Sequence, residues 1–321
     1  MRRLTLLVAK MNPIYEWLGN CPICHRNTTF RAQDKWFRDY LICTTCADGS
    51  YPRERALFLT IEDECPNWRD LRIHESSPLM RGASPVLAHE CRDYVATYFF
   101  PGVPPGDLHR GFRCEDLECQ TFADESFDIV ISQDVMEHVL NPERAYQEVW
   151  RTLRPGGVYI HTTPIYKDLV ASQRRADRRA DGSIHHLFEP EYHGNPIDDA
   201  GALVTFHFGY DLADLIAEWA DFDVEIRRFN DRTHGIVAEF SDVIICRKRG
   251  ALESDWDARF RQLAEAQASL AATTKELQAA NEKLAAKTEE LQAANEKLER
   301  VFASTSWRLT APVRAVRRLL G

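Results

Sequence analysis

The sequence predicts an α/β fold: a doubly wound, mostly parallel sheet over residues 57–250, preceded by a cysteine-bearing module and followed by a long helix. Three observations carry this. Strand-length apolar runs alternate with helical patterns through the middle of the chain, as in stacked strand–helix–strand units. Two Cys-x-x-Cys pairs lie within the first fifty residues. Leucine recurs at every seventh position from Leu263 to Leu298.

In the body, Leu71–His74 reads as the first strand and Tyr94–Tyr98 as the second. A third approaches Glu115-Asp116, the fourth is Ile129–Ser132 and the fifth Val158–Thr163. Between the last two, Asn141-Pro142 opens a helix, Asn as the cap and Pro at the first position, where no amide donor is needed. Tyr146, Val149, Trp150 and Leu153 share one face of that helix. Arg154-Pro155-Gly156-Gly157 stops it. A helix around Asp211–Ala220 follows, then strands at Asp223–Arg228 and Ala238–Arg247.

Composition narrows the class. The chain has 321 residues, 44% hydrophobic and 28% charged, ordinary values for a globular protein. Its formal charge of -9 argues against nucleic acid as a partner. No apolar run approaches the roughly 18 residues of a membrane span. Met1-Arg2-Arg3 followed by Leu4–Ala9 mimics a secretion signal, but the apolar stretch is too short, so a cytoplasmic protein is expected. Nine cysteines, four of them in paired knuckles, do not resemble a secreted disulfide framework.

The knuckles are Cys21-Pro-Ile-Cys24 and Cys43-Thr-Thr-Cys46. A two-residue gap lets a tight turn present two thiolates to one ion, and four thiolates complete a tetrahedral, closed, structural zinc site. A zinc ribbon over residues 1–56 is therefore expected, with Thr28–Phe30 and Trp36–Cys43 as short strands. A single redox-active Cys-x-x-Cys is the competing reading.

Phe127 to Gly157 is the most informative stretch. An apolar strand runs into a polar cluster, Gln133, Asp134, Glu137 and His138, and open α/β sheets place their ligands just past strand carboxyl ends. This block closely resembles the second half of class I S-adenosylmethionine (SAM)-dependent methyltransferases of the type 11 kind. The resemblance implies a seven-stranded Rossmann-like sheet with an antiparallel last strand. One departure stands out. The family usually follows its first strand with a Gly-x-Gly turn, whereas this chain has His74-Glu75-Ser76-Ser77-Pro78, and Ala96-Thr97-Tyr98 replaces the usual acid of the second strand. A subgroup with a zinc ribbon, a Pro-Arg-Glu-Arg-Ala segment (Pro52–Ala56) and a glycine-poor first loop resembles this chain over roughly residues 20–248.

The resemblance assigns SAM to His74, Glu75, Ser76, Ser77, Tyr98, Asp116, Leu117, Gln133 and Asp134, and gives Glu137-His138 as the family's frequent Glu-His pair. His185–Ile197, rich in His, Glu and aromatic residues, falls where these enzymes insert an acceptor-binding segment. Methyl transfer to oxygen or nitrogen needs positioning and a proton acceptor, and histidine is the natural base near neutral pH. His193 leads, with His138 and Glu137 beside it; the polar alternative is helix capping and loop polarity. The histidines and acids of this segment could instead hold a divalent metal, though their spacing matches no standard ligand pattern. Arg174–Arg179 reads as a solvated helix face or a clamp for an anionic acceptor.

Residues 251–302 read as a parallel coiled coil, with leucines at d and Gln267, Thr274, Asn281, Thr288 and Asn295 at a. Buried Asn at a favours a dimer in one register. Residues 303–321 form a basic, amphipathic tail suited to an anionic membrane surface or a docking contact. Its Ser-Trp-Arg-Leu-Thr-Ala-Pro resembles a motif on bacterial glycosyltransferases and methyltransferases of surface-polysaccharide assembly. The expected function is methyl transfer to an O or N acceptor, a small molecule, sugar or glycan, near the inner membrane. A catalytically inactive scaffold for a polysaccharide-assembly complex is the alternative.

Overall fold

The computed structural model describes residues 13–195, 200–249, 253–304 and 309. The Leu4–Ala9 segment, Pro196-Ile197 and most of the basic tail lie outside the described residues. The chain forms two compact units, divided after Leu252.

The first unit opens with β1 (Tyr15–Cys21), β2 (Arg26–Ala32), the single turn α1 (Phe37–Tyr40) and β3 (Ile42–Cys43), an antiparallel three-stranded ribbon. Trp36–Cys43 is therefore a helical turn before a two-residue strand, not one strand. Asp34 Oδ1 accepts the Trp36 amide at 2.8 Å and starts the turn, which aims Arg38 inward. Then come α2 (Pro52–Glu64), β4 (Arg72–Ser76), α3 (Ala83–Glu90), β5 (Asp93–Tyr98), β6 (Leu108–His109), β7 (Phe112–Cys114) and β8 (Phe127–Gln133). A 3-10 turn at Met136–His138 precedes α4 (Pro142–Thr152) and β9 (Leu153–Thr162).

Among the described residues of 173–207 lie six short strands, β10 (Gln173–Arg174), β11 (Ala176–Arg178), β12 (Ile184–His186), β13 (Tyr192–His193), β14 (Ala202–Leu203) and β15 (Phe206–His207). They pair as three small antiparallel ribbons. Arg174–Arg179 is thus strand and turn, not a helix face. Cross-strand partners decide this: Ala176 and Asp177 pair with His186 and His185. The unit closes with α5 (Leu212–Trp219), β16 (Phe222–Arg227) and β17 (Val243–Lys248).

The main sheet has the order β16-β17-β9-β8-β4-β5-β7-β6. Pairings from β9 across to β7 are parallel, and β17 runs antiparallel between β16 and β9. The expected seven strands become eight because β6 and β7 form a hairpin. Its two loop residues, Arg110 (φ 51) and Gly111 (φ 84), are both left-handed, as a hairpin turn that follows strand twist requires. Arginine at the first position hides that turn in the sequence.

Strand alternation builds two cores. Ile73, Ile129, Ile131, Ile160 and Ile245 face α2, α3 and the ribbon, in one cluster with Phe30, Leu41 and Cys43. Val130, Tyr159, Ile244 and Cys246 face α4 and α5. Asn141 caps α4 as expected, its Oδ1 accepting the Arg144 amide at 3.2 Å. Arg154–Gly157 is absorbed into β9 as an irregularity opposite Asp128, which Arg154 grips through both carboxylate oxygens at 3.0 Å.

The Pro-Arg-Glu-Arg-Ala segment stitches ribbon to sheet. Pro52 starts α2, and the Glu54 carboxylate accepts the Tyr51 amide at 2.9 Å and Arg81 Nε at 2.9 Å. Gly82 (φ 67) approaches Glu54 so closely that a Cβ would overlap it. Buried Arg55 donates to the carbonyls of Ser50, Leu41 (3.1 Å) and Gly235 (2.7 Å), tying the ribbon to the β16–β17 loop.

The described part of the second unit is built on one helix, α6 (Glu253–Ala303). Its 51 residues at 1.5 Å each make a rod of about 77 Å. Leu270, Leu277, Leu284, Leu291 and Leu298 are each more than half exposed. Among the described residues no helix is long and apolar enough to cross a membrane.

Candidate functional site

Strand β4 stands mid-sheet; the chain moves outward to β5 and β7, then returns to β8 on the other side of β4. The carboxyl ends of β4 and β8 flank this reversal, where open α/β sheets leave a crevice for ligands. Glu75, Ser76, Ser77, Gln133 and Asp134 all lie there.

Ser77 adopts φ 57, the left-handed conformation that glycine normally supplies, and its amide donates to the Thr97 carbonyl at 2.7 Å. The glycine-free loop therefore makes the tight turn at the expense of a strained serine. Glu75 is fully buried and held by Ser84 and Tyr94, each donating at 2.6 Å. Burial pushes its carboxyl above the usual range. Gln133 Nε2 reaches Ser84 Oγ at 3.3 Å, while its Oε1 is buried without a partner. A buried unsatisfied acceptor marks a place where a ligand donor is accommodated at little desolvation cost.

His74 stands apart from this group. It is fully buried in the sheet against Phe122 and Phe127, with Nε2 on Thr97 Oγ1 at 2.8 Å, and burial brings its pKa down to about 3. Tyr98 donates its hydroxyl to the Pro78 carbonyl, bracing the first loop. Past β7, Asp116 accepts the Glu118 amide at 2.9 Å and Leu117 is buried, leaving neighbouring Glu115 engaged with Arg113 at 2.6 Å.

Asp134 (φ 52) carries contacts that the sequence did not disclose. Arg38 Nη2 from α1 lies 2.6 Å and Arg53 Nε from α2 3.0 Å from its Oδ2, and Thr162 donates to Oδ1 at 3.0 Å. Burial opposes the charge, but the two guanidinium groups hold the Asp134 carboxyl below its ordinary range. The N-terminal ribbon thus grips the lip of β8.

Glu137, His138 and His193 come together. Their candidate ligand atoms lie within 4.8 Å of one another, and the His138 and His193 rings meet edge to face at 5.4 Å. Glu137 is 1% exposed; Oε2 accepts from Thr163 at 2.9 Å and Oε1 has no hydrogen-bond partner. Burial and then Asp134 push it up to about 8. His138 Nδ1 meets the Leu203 carbonyl at 2.9 Å, so that nitrogen carries the proton and Nε2 is a free lone pair; burial lowers its pKa. Thr205 fastens the turn, its amide donating to the Glu137 carbonyl at 2.7 Å. His193 contacts Glu191 Oε1 at 3.1 Å, and the other Glu191 oxygen contacts His207 at 2.9 Å. The role of His207 was missed, because only chain pairing of β10 with β15 brings it back.

The nearby arginines are largely occupied: Arg174 on the Leu140 carbonyl at 2.7 Å, and Arg175 on the Glu189 carbonyl at 3.0 Å. Leu187, Phe188 and Tyr192 of the same segment are exposed.

In the ribbon, Cys21–Cys46 and Cys24–Cys43 sulfurs are 3.6 and 4.0 Å apart, and no cysteine is in a disulfide. Four thiolates on one ion at about 2.3 Å stand about 3.8 Å apart. The Thr45 and Cys46 amides both point at Cys43 Sγ at 3.4 Å. Burial and the neighbouring thiolates Cys21 and Cys43 push the Cys24 thiol up to about 11, the repulsion a cation would relieve.

Residues 101–161 match a methyltransferase domain family, a stretch that includes β8, its lip and most of β9. Ubiquinone biosynthesis O-methyltransferase of Parvibaculum lavamentivorans is 32% identical over 89 residues, 27% of this chain and 35% of that protein. The chain therefore spans about a third of the length of this curated relative. Among solved structures, a SAM-dependent methyltransferase of Mesorhizobium loti is 17% identical, covering 60% of this chain and 97% of that one at a TM-score of 0.40. The 1,6-didemethyltoxoflavin-N1-methyltransferase of Burkholderia thailandensis, solved with S-adenosylhomocysteine, is 12% identical, covering 61% and 78% at 0.39. The family and relative matches are similarities to methyltransferases, the family match lying over β8, its lip and most of β9.

Proposed function

We propose that this protein is a SAM-dependent methyltransferase acting on an oxygen or nitrogen of a small-molecule or glycan acceptor. The observation that carries the reading is the gathering of Glu137, His138 and His193 just beyond β8, beside the strand-order reversal. SAM supplies an electrophilic methyl group on a sulfonium. The Ser76-Ser77 turn and Gln133 would hold its methionine end, and Asp116-Leu117 the adenine. Glu75, fixed by Ser84 and Tyr94, shapes the loop from beneath, and Tyr98 braces it. Asp134, neutralised by Arg38 and Arg53, bounds the same crevice. His74 supports from the core rather than touching cofactor.

The acceptor would enter over the 173–207 ribbons, where Phe188 and Tyr192 offer exposed rings. His138 and His193 would take up its proton, with Glu137 Oε1 3.9 Å from His138 Nε2. The four cysteines would hold a structural zinc ion, closed to substrate. The exposed leucines of α6 would pair with a second copy as a parallel coiled coil, and the basic tail would bring the enzyme to an anionic membrane surface in the cytoplasm.

Calorimetric titration of SAM and S-adenosylhomocysteine into the zinc-loaded full chain tests the reading. Micromolar binding is expected. His193→Ala should then lose transfer activity while SAM affinity stays near wild type. No binding to well-folded protein would refute the enzyme and leave the scaffold.

A further inference from the structure

We propose that Glu137, His138 and His193 form a binding site for one divalent transition-metal ion, distinct from the four-cysteine module. The donor set is prepared on three counts. Glu137 presents an oxygen, Oε1, that is buried and without a hydrogen-bond partner, while its other oxygen is anchored on Thr163 at 2.9 Å. His138 spends Nδ1 on the Leu203 carbonyl at 2.9 Å, which turns the Nε2 lone pair toward that oxygen at 3.9 Å. His193 is oriented by Glu191 at 3.1 Å, the carboxylate–imidazole pairing that fixes ring and tautomer around metal ligands.

The same Glu191 is held in turn by His207 at 2.9 Å and faces Arg175 at 3.6 Å, so the outer partners are themselves anchored. All three donor atoms lie within 4.8 Å of one another. Ligands on one ion with bonds of about 2.1 Å stand about 3.0–3.4 Å apart. The Glu137–His138 edge closes to that spacing by about half an ångström, within reach of small side-chain rotations.

Tertiary structure alone assembles the set. Glu137 and His138 sit on a 3-10 turn after β8, and His193 on β13 some 55 positions later. Strand β14 links them: Ala202 pairs with His193, and the next residue, Leu203, holds His138. Two imidazoles and one carboxylate suit manganese, iron, cobalt or zinc better than magnesium or calcium. Three protein ligands leave coordination positions open for an oxygen of the acceptor. That use rests on the methyltransferase reading; occupancy of the site does not. With the ion bound, both histidines act as ligands and polarisation of the acceptor oxygen falls to the metal.

The test titrates Mn2+ into the full chain carrying a single zinc equivalent, which the four thiolates take first, and follows free Mn2+ by electron paramagnetic resonance, since a hard ion competes poorly for the thiolates. One Mn2+ per chain is expected, with nitrogen couplings from two imidazoles in the pulsed spectrum. The near-isosteric Glu137→Gln should weaken binding at least tenfold, as should His138→Ala, while His186→Ala, on the same segment but outside the cluster, leaves it unchanged. No uptake by folded protein, absent nitrogen couplings, or uptake unchanged in Glu137→Gln would each overturn the site. A parallel SAM titration separates the two ideas. SAM binding without Mn2+ uptake rejects the metal site alone; Mn2+ uptake with these couplings but without SAM binding supports the site and rejects the methyltransferase.

Discussion

Replacing Asp134 by Asn tests whether the ribbon is fastened to the sheet through charge. The substitution removes the negative charge between Arg38 and Arg53, at 2.6 and 3.0 Å, and leaves the shape nearly intact. The three side chains are only 10%, 11% and 20% exposed, so solvent cannot replace the lost partner. A charge pair about 4 Å apart at an effective dielectric near 20 attracts by about 4 kcal/mol, most of which offsets desolvation. The intact cluster therefore contributes little net stability. Breaking it is different: an uncompensated buried charge costs about 3–5 kcal/mol. Asp39 still balances Arg53 at 3.0 Å, so the lower end, about 3 kcal/mol, is expected for Asp134→Asn. Urea unfolding of zinc-loaded protein measures it, with Arg38→Met and the double variant closing a cycle. A coupling of about 1.5–3 kcal/mol should appear. A loss under about 0.5 kcal/mol, or additivity within that margin, would refute the argument. Because the arginines hold Asp134 below its ordinary pKa, its contribution is full above about pH 3.9 and disappears as pH falls through the folded-state value.

Other tests follow from the same geometry. His74 and His161 stay neutral in the fold down to about pH 3 through burial, so stability should fall as pH drops from 6.5 toward 3, by up to about 1.4 kcal/mol per unit for each; a flat profile refutes their burial. Glu137, pushed up to about 8, has the opposite sign: it costs stability as pH rises from its ordinary 4.5 toward 8. Glu137→Gln without added cations should accordingly gain stability at pH 8 and little at pH 4, read from melting midpoints. Stripping zinc with a strong chelator should lower one cooperative melt, because Phe30, Leu41 and Cys43 share a core with Ile129 and Ile245; two separate transitions would show an independent ribbon. Leu277→Pro with Leu291→Pro should give monomers by light scattering, and persisting dimers would place the contact in the first unit.

Local physics made much of this chain legible. Strand-length apolar runs marked β4, β5, β8 and β9 to within a few residues, Asn141-Pro142 marked the start of α4, and the leucine heptads marked α6. Each is a property of neighbours in sequence, and the knuckle spacing of the four cysteines belongs with them. The departures arose where distant groups chose the conformation. Trp36–Cys43 bends into α1 so that Arg38 reaches Asp134, 96 positions away. Arg110 turns left-handed because two short strands pair across it. Arg53 and Arg55, two positions apart in one motif, serve opposite ends of the same joint: Arg53 meets Asp134 at the sheet, and Arg55 donates to the carbonyls of Leu41 in the ribbon and Gly235 in the β16–β17 loop.

The candidate site divides along the same line. The sequence by itself determined which polar residues follow β8 and that histidines and acids crowd the 185–193 segment. Only the tertiary structure decided that His193 joins Glu137 and His138, that His74 is buried away from them, and that His207 and Glu191 support the group. The reason is physical: side-chain period and turn chemistry act over a few residues, whereas burial, ion pairing and strand register depend on which surfaces the folded chain brings into contact.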